Sequence, residues 1–499
     1  MHKLNAINAD STKTAIQASS ESKTENQALL SAARANSSAK LAAANHASAI
    51  VPLRRKRMAV SAPNVAVIGG GPGGLAAAAR LIEAGASVEL FEASGQLGGL
   101  ARSIELWGRQ LELSAHIFRS SDPFVNRLWH ECAGELKQIA LRRGIFDGES
   151  VIEYPMTPLR IFRNLGAADT VRSVVGLGMG RVSQHWSNPP KNAEDWMVRM
   201  YGRPLHERFL RDYAEKLWGV PCDQIGASFP QFLFQSADDA KGDESFYYPT
   251  LGNSSVWNRL GDKLASSGAA IHLKTRVNQL QVQNNRVTGL VVDGKRKRFD
   301  HVISTMPLGL LARLTLPENV EVKTAASELR ARSTVLVYLL AKSDSQSKYN
   351  WLTVYPARYR MGRITDFGQW LGENNGHTVF CLEYWCDKDD ALWSQDNEAI
   401  TAHAIAELNQ TGQVGKVVAV DSHIERLPGT HPVFSLGAQQ AMNIINDKLS
   451  RIDGLSTVGR HGSHGVLGMG ESMEAASAVA DAVMLEAEQA NACRQRLAG

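Results

Sequence analysis

The pattern of apolar and polar positions becomes regular only after about residue 58, where it opens as a β-α-β unit. Val65 to Ile68 is a short apolar run that reads as a strand. Gly74 to Ala84 is a helix of small residues, and Ser87 to Phe91 reads as a second strand. Farther on, Glu194 to Tyr201 and Leu205 to Leu217 have helical spacing, with Pro204 at a favoured first-turn position, which predicts a helical lobe. Ala270 to Leu273, Val287 to Val292 and His301 to Ser304 are β-type runs, and Thr334 to Ala341 and Thr378 to Trp385 read as strands of a second, sheet-based lobe. A last helix, Ser472 to Gln489, follows a glycine-rich loop and is apolar enough to be buried.

Composition sharpens this picture at three points. With 499 residues, 44% hydrophobic and 21% charged, the chain can bury a large core in two or three lobes. The five cysteines form no C-x-x-C pair, which argues against a zinc knot or a disulfide framework and for a reducing, cytoplasmic compartment. No run of 18 apolar residues occurs, so no transmembrane span is expected. The net charge of +4 is unevenly divided: residues 1 to 57 carry nine Lys or Arg against three acids, which leaves −2 for the rest. A slightly acidic body argues against nucleic acid as a partner. Residues 1 to 57, rich in Ala, Ser, Asn and Lys and ending in Arg54-Arg55-Lys56-Arg57, read as a disordered tail; an organelle-targeting peptide, or a true start at Met58, are the alternatives.

Chemistry enters with Gly69-Gly70-Gly71-Pro72-Gly73-Gly74, a G-x-G-x-x-G between strand and helix. Gly69 permits the turn, Gly71 lets a pyrophosphate approach the backbone, and Gly74 allows close helix packing, while the helix N-terminus favours the phosphate charge. Glu92, at the end of the second strand, is placed to accept hydrogen bonds from ribose hydroxyls. A second glycine pair, Gly98-Gly99, follows within Leu97 to Ser103 together with Arg102. Here the sequence resembles the FAD-dependent amine oxidase, protoporphyrinogen oxidase and phytoene desaturase superfamily. The resemblance implies FAD, with this segment running along the pyrophosphate and ribityl chain and Arg102 near the phosphates; a surface salt bridge is the alternative for Arg102.

Ala115-His116-Ile117-Phe118, Tyr213 to Gly219 (YAEKLWG) and Gly362 to Phe367 (GRITDF) are similar to segments of the branch that includes UDP-galactopyranose mutase. That likeness implies that His116 lies near the flavin ring, as proton carrier or as packing, and that Tyr213 and Trp218 border the substrate cleft or simply pack in the core. It also implies that the backbone of Val277 pairs with adenine. In the C-terminal motif, Gly459-Arg460-His461 and Gly470-Glu471-Ser472-Met473 are expected to put backbone N–H groups against the flavin edge that becomes anionic on reduction. Related flavoproteins carry Arg-Tyr-Asn-Asn and Asp-His here, which this chain replaces with Gly465 to Gly468 and Gly470-Glu471, so its substrate preference should differ. His461 and His464 are left as polar groups near the ring, with a structural role expected for each.

The expected fold is therefore α/β, with a Rossmann-type FAD-binding domain (61–130, 245–310 and 455–490) interleaved with a helical substrate lobe (131–244) and a sheet-based one (311–454). The expected function is hydride transfer from a small organic substrate, an amine or a biosynthetic intermediate, to FAD. The electron acceptor stays open, with dioxygen a candidate. A non-redox mutase and a non-catalytic flavin-binding protein are the alternatives. The apolar stretch Tyr247 to Leu251 suggests a substrate less charged than a nucleotide sugar. No metal site is expected.

Overall fold

The structure is a computed structural model that describes residues 62–154, 171–172, 175, 189–227, 245–345, 347–371 and 377–497. The N-terminal tail lies outside these, as does most of the apolar stretch 171–182. The chain begins β1 (Asn64–Ile68), α1 (Pro72–Glu83), β2 (Ser87–Phe91), the hairpin β3 (Ser103–Leu106) and β4 (Arg109–Glu112), and α2 (Pro123–Ala133). Strands β5 (Leu136–Ala140), β6 (Arg143–Phe146) and β7 (Val151–Glu153) precede helices α3 (Ala193–Tyr201) and α4 (Arg211–Trp218). Next come β8 (Ser245–Pro249), α5 (Asn253–Ser266), β9 (Ala270–His272), β10 (Val277–Gln283), β11 (Arg286–Val292), β12 (Lys295–Arg298) and β13 (His301–Ser304). The remainder is α6 (Leu308–Thr315), α7 (Val320–Glu328), β14 (Ala331–Ser343), β15 (Trp351–Val354), β16 (Arg363–Asp366), β17 (Thr378–Cys386), α8 (Asn397–Gln410), β18 (Val417–Pro432), α9 (Leu436–Ser450), β19 (Leu455–Thr457) and α10 (Met469–Leu497).

Two sheets organise these elements. The first is fully parallel, in the order β19-β13-β1-β2-β9, and so joins strands from the start, middle and end of the chain. Its central strand is buried because helices cover both faces, which is why Val65 to Ile68 reads as a continuous apolar run. Helix α1 is built of Gly and Ala so that α10 can lie against it; a Cβ on Gly73 would stand 3.1 Å from the carbonyl oxygen of Ser472. The second sheet is mixed, in the order β18-β14-β17-β16-β15-β6-β7. Along β14, Val335, Val337 and Leu339 pack with Ile400, Ala404 and Leu408 of α8, while Leu336 and Tyr338 face the opposite way toward Leu111, Leu113 and Phe367.

Two expectations change. Residues 131–244, read as helical, also contain β5, β6 and β7; β6 pairs in parallel with β15 and β5 pairs with β8. Their short runs, LKQIA and RGIF, are interrupted by charge or glycine and become strands only because distant partners complete them. The single helix expected from Leu205 to Leu217 is divided: Gly202, at φ 81°, opens a turn at Arg203–Leu205, a widened turn follows at His206–Leu210, and only then does α4 run regularly. Among the described residues no helix is long and apolar enough to cross a membrane, and no group of His, Cys, Asp or Glu could hold a metal ion.

Candidate active site

The glycine motif lies at the C-terminal edge of the parallel sheet. Gly69 adopts φ 101° and donates its N–H to the carbonyl of Phe91 at 2.8 Å, tying the loop to β2. A Cβ on Gly74 would stand 1.9 Å from the Gly69 carbonyl oxygen, so the helix can start there only without a side chain. Helix α1 has neither a side-chain cap nor an acid in its first turn. The second glycine pair closes over it: Gly98 donates to the Gly70 carbonyl at 2.7 Å, and Gly99, at φ 55°, faces Gly71. A Cβ on Gly71 would meet nothing nearer than the Gly99 Cα, at 4.0 Å. Protein packing therefore does not demand this glycine; an uncapped helix start opposite a bare backbone is the shape a pyrophosphate needs.

Glu92 accepts from Gly70 N–H on one carboxylate oxygen and from Ser94 N–H on the other, both at 2.7 Å, which leaves each oxygen a further lone pair. Arg102 donates to the Gly99 carbonyl at 2.9 Å. Gly69, Gly71, Gly73, Gly74, Glu92, Gly98, Gly99 and Arg102 thus form one neighbourhood. Val277 begins β10 on the separate three-stranded sheet, opposite Val292. Ser472 and Met473 are buried, Met473 in the core beneath α1.

Next to the glycine loops, over one face of the mixed sheet, lies a cavity of about 340 Å³. Its roof includes His116, Arg119, Arg460 and the start of α10 from Gly468 to Glu471. Gly470 is required there by packing, since its Cβ would stand 1.7 Å from the Arg119 carbonyl oxygen. Glu471 accepts from Gly468 N–H at 2.7 Å and caps the helix; Arg460 donates to the Leu467 carbonyl at 2.9 Å. Gly459, at φ 84°, makes the turn that brings Arg460 inward. Burial, with the Arg460 charge beside it, pushes the His116 imidazole down to about 4, so it is neutral at pH 7.

The floor is one face of the mixed sheet. Adjacent strands contribute His431, Thr430 and Leu427 (β18), Thr334 and Leu336 (β14), Glu383 (β17), Arg363 (β16), Trp351 (β15) and Arg143 (β6). Glu383, 1% exposed, pairs with its cross-strand neighbour Arg363 at 3.1 Å and accepts a hydrogen bond from Ser114. The Arg363 guanidinium lies 4.8 Å above the Trp351 ring. His431 Nδ1 is 2.9 Å from Thr430 Oγ1, which in turn lies 2.6 Å from Thr334 Oγ1 and 3.2 Å from the Arg332 carbonyl oxygen. That carbonyl only accepts, so satisfying all three contacts places the proton on His431 Nδ1 and leaves Nε2 as a lone pair. Burial together with the Arg460 and Arg363 charges holds this ring neutral.

Residues 72–484 match the family model of the flavin containing amine oxidoreductases. The chain belongs to that family. Its relatives include 4,4'-diaponeurosporene oxygenase of Staphylococcus aureus (strain bovine RF122 / ET3-1), 24% identical over 277 residues, which are 49% of this chain and 55% of the relative. The match thus spans about half the length of these curated relatives. Similar folds include reduced UDP-galactopyranose mutase (TM-score 0.71, 19% identity, covering 85% of this chain and 94% of that one). Another is a putative protoporphyrinogen oxidase from Exiguobacterium sp. 255-15 (TM-score 0.66, 20% identity, 86% and 100% covered). Family membership makes flavin the cofactor of this amine oxidoreductase relative.

Other sequence candidates take their places around this site. His461 donates from Nε2 to the Gly429 carbonyl at 2.9 Å and His464 from Nε2 to the Val433 carbonyl at 3.2 Å; neither lines the cavity, and together they hold the segment that carries His431. Tyr213 and Trp218 are buried and pack with Tyr355 and Trp385. Tyr247 to Leu251 do not line the cavity either, since Tyr248 bonds Glu112 and Tyr247 points outward, so that stretch says nothing of the substrate. Sequence reading missed Arg119, Arg143, Glu383 and His431. The residue types alone carried no signal, because only strand order brings Arg143, Glu383 and His431 to one face and only the contact of its loop with Gly470 brings Arg119 to the roof.

Proposed function

We propose that the protein is an FAD-dependent oxidoreductase that takes a hydride from a small organic substrate in the cavity over the mixed sheet. The observation that carries this reading is the pair of bare glycine backbones, Gly71 and Gly99, packed together at an uncapped helix start beside a partly polar cavity. Residues 61–130, 245–310 and 455–490 then make the Rossmann-type unit, and the intervening segments the substrate lobes. The start of α1 and Gly98–Gly99 hold the pyrophosphate, Arg102 lies beside it, Glu92 accepts from the adenosine ribose, and the Val277 backbone meets the adenine. Gly459, Arg460 and Gly470 to Met473 border the ring edge, where the N-terminus of a 29-residue helix favours negative charge.

When bound, FAD supplies a two-electron acceptor. The chain does the rest. Leu113, Leu336, Leu427 and Trp351 keep water from the reacting centre, and His431, with Nε2 unprotonated, is placed to receive the proton that leaves the substrate. His116, neutral on the opposite side, positions the ring or shares that role. The electron acceptor that closes the cycle is dioxygen or another oxidant.

A mutase that returns its flavin unchanged is the second reading, favoured by the guanidinium-rich lining, which would suit phosphate groups. Anaerobic mixing separates the two. Oxidised holoprotein given candidate substrates should lose its flavin colour; a mutase needs prior reduction and stays reduced through turnover. Purified protein that releases no FAD on denaturation would overturn both.

A further inference from the structure

The charge of the cavity goes beyond the family's typical amine chemistry. Among the described lining residues are four arginines, Arg119, Arg143, Arg363 and Arg460, against two carboxylates, Glu383 and Glu471. Both carboxylates have positions fixed by other groups. Glu383 is held by Arg363 and Ser114, and Glu471 caps Gly468 beside Arg460. Arg119 projects from the loop that touches the start of α10, and its Nη2 is buried without a hydrogen-bond partner. Arg363 also keeps a buried Nε without a partner but is already paired with Glu383, whereas Arg119 makes no such pair among the described residues. A buried N–H of a guanidinium left unmade is costly, and the usual resolution is an acceptor supplied by the ligand. The helix start nearby is also positive, and both cavity histidines are kept neutral, first by burial and then by the surrounding guanidiniums, so neither offers an anion a competing charge.

We propose that the substrate binds as an anion, through a carboxylate or phosphate group received by Arg119 at the α10 end of the cavity, and not as a cationic amine. This rests on the reading of the cavity as the substrate site of an FAD enzyme. The planar fork of Arg119 suits either oxyanion, and Arg143, across the floor on β6, adds to the same field. A protonated amine would enter against the guanidiniums with no lining carboxylate uncommitted to receive it. The orientation follows: the anionic end lies toward Arg119, so the oxidised carbon lies toward His431 and Thr334.

The test uses the FAD-loaded protein, with the flavin difference spectrum and the fluorescence of the cavity tryptophan Trp351 as readouts. Succinate, inorganic phosphate and 1,4-diaminobutane are titrated separately. The anions should perturb both signals at concentrations at which the diamine does nothing, and the stronger of the two identifies carboxylate or phosphate as the group received. Arg119→Gln should weaken the better anion by about tenfold or more, and Arg119→Lys by less, because the charge is kept and the fork is lost. Diamine binding as tight as that of the anions, or unchanged anion affinity in Arg119→Gln with native flavin content, overturns the proposal. Protein purified without flavin would instead overturn the cofactor reading. The tryptophan titration of that apoprotein, wild type against Arg119→Gln, would still decide the charge of the cavity.

Discussion

The glycine loops and the cavity floor meet at one site but are made in opposite ways. At the loops, backbone does the work: Gly69, Gly71, Gly74, Gly98 and Gly99 fall in two short stretches of sequence and act through what they lack. On the floor side chains do it, and His431, Thr334, Glu383, Arg363, Trp351 and Arg143 come from six strands spread over nearly 300 residues, aligned only by sheet order. A turn that needs positive φ or close approach restricts its residue types almost completely, whereas a sheet position restricts only polarity and size. The loops therefore recur wherever a dinucleotide binds, while the floor is free to set the chemistry.

The largest break in that contrast should come from the floor. Glu383→Ala removes the partner of Arg363 and leaves a nearly buried guanidinium uncompensated, at a cost of about 3 kcal/mol. Glu383→Gln, which can still accept from Ser114 and Arg363, should recover part of it. Urea midpoints check both, and an Ala variant as stable as wild type would show that water, not Glu383, satisfies Arg363.

Acid is the next lever, and it acts where the two regions meet. His116 and His461 are each pushed from the ordinary 6.5 down to about 4 by burial and by Arg460. Below pH 6.5 the unfolded chain takes up protons that the folded one refuses until about pH 4, so stability is flat above neutrality and falls across that window. Allowing for their partial exposure, the two together should cost about 2 to 4 kcal/mol by pH 4. His461→Gln, which keeps a donor to the Gly429 carbonyl, should flatten the slope. An unchanged slope would mean that His461 is not protected in the fold.

The same contrast explains what could be read in advance. Strand β2, Ser87–Phe91, and strand β13, His301–Ser304, were legible to the residue because their central positions, Val88 and Leu90 and Val302 and Ile303, are apolar residues buried in the parallel sheet. The loop residues were legible because glycine has few substitutes. Strands β5 to β7 were not, since RGIF is a strand only beside Trp351 to Val354. His431 was hidden for a related reason. It sits in VVAVDSHIERLPGTHP, where nothing local separates it from His423, and only Thr430, Thr334 and the cavity mark it. A charge introduced at Gly470 could not probe the ring edge, because any side chain there collides with the Arg119 carbonyl before its charge matters.

Returning to the loops, Glu92→Ala should weaken retention of FAD by about 1 to 3 kcal/mol, through lost acceptors for ribose and for the Gly70 and Ser94 amides. Equilibrium dialysis of the apoprotein with FAD measures it. Unaltered affinity would remove Glu92 from the site.

The smallest effect on the fold, and the sharpest on the reading, is expected at Gly71. Its φ of −75° and ψ of 178° are open to any residue, and a Cβ there meets only the Gly99 Cα at 4.0 Å. Gly71→Val should therefore change the stability of the apoprotein by less than about 1 kcal/mol. Gly74→Val is the internal control, since its Cβ would lie 1.9 Å from the Gly69 carbonyl oxygen and the fold itself should suffer. If the bare backbone at Gly71 and Gly99 seats the pyrophosphate, the valine fills the space the phosphates need, and FAD retention collapses while the urea midpoint stays. Stability and cofactor affinity are then separated within three residues of one loop. A Gly71→Val protein that keeps its FAD at wild-type affinity would show that the phosphates lie elsewhere, and with them the direction from which the flavin reaches the floor.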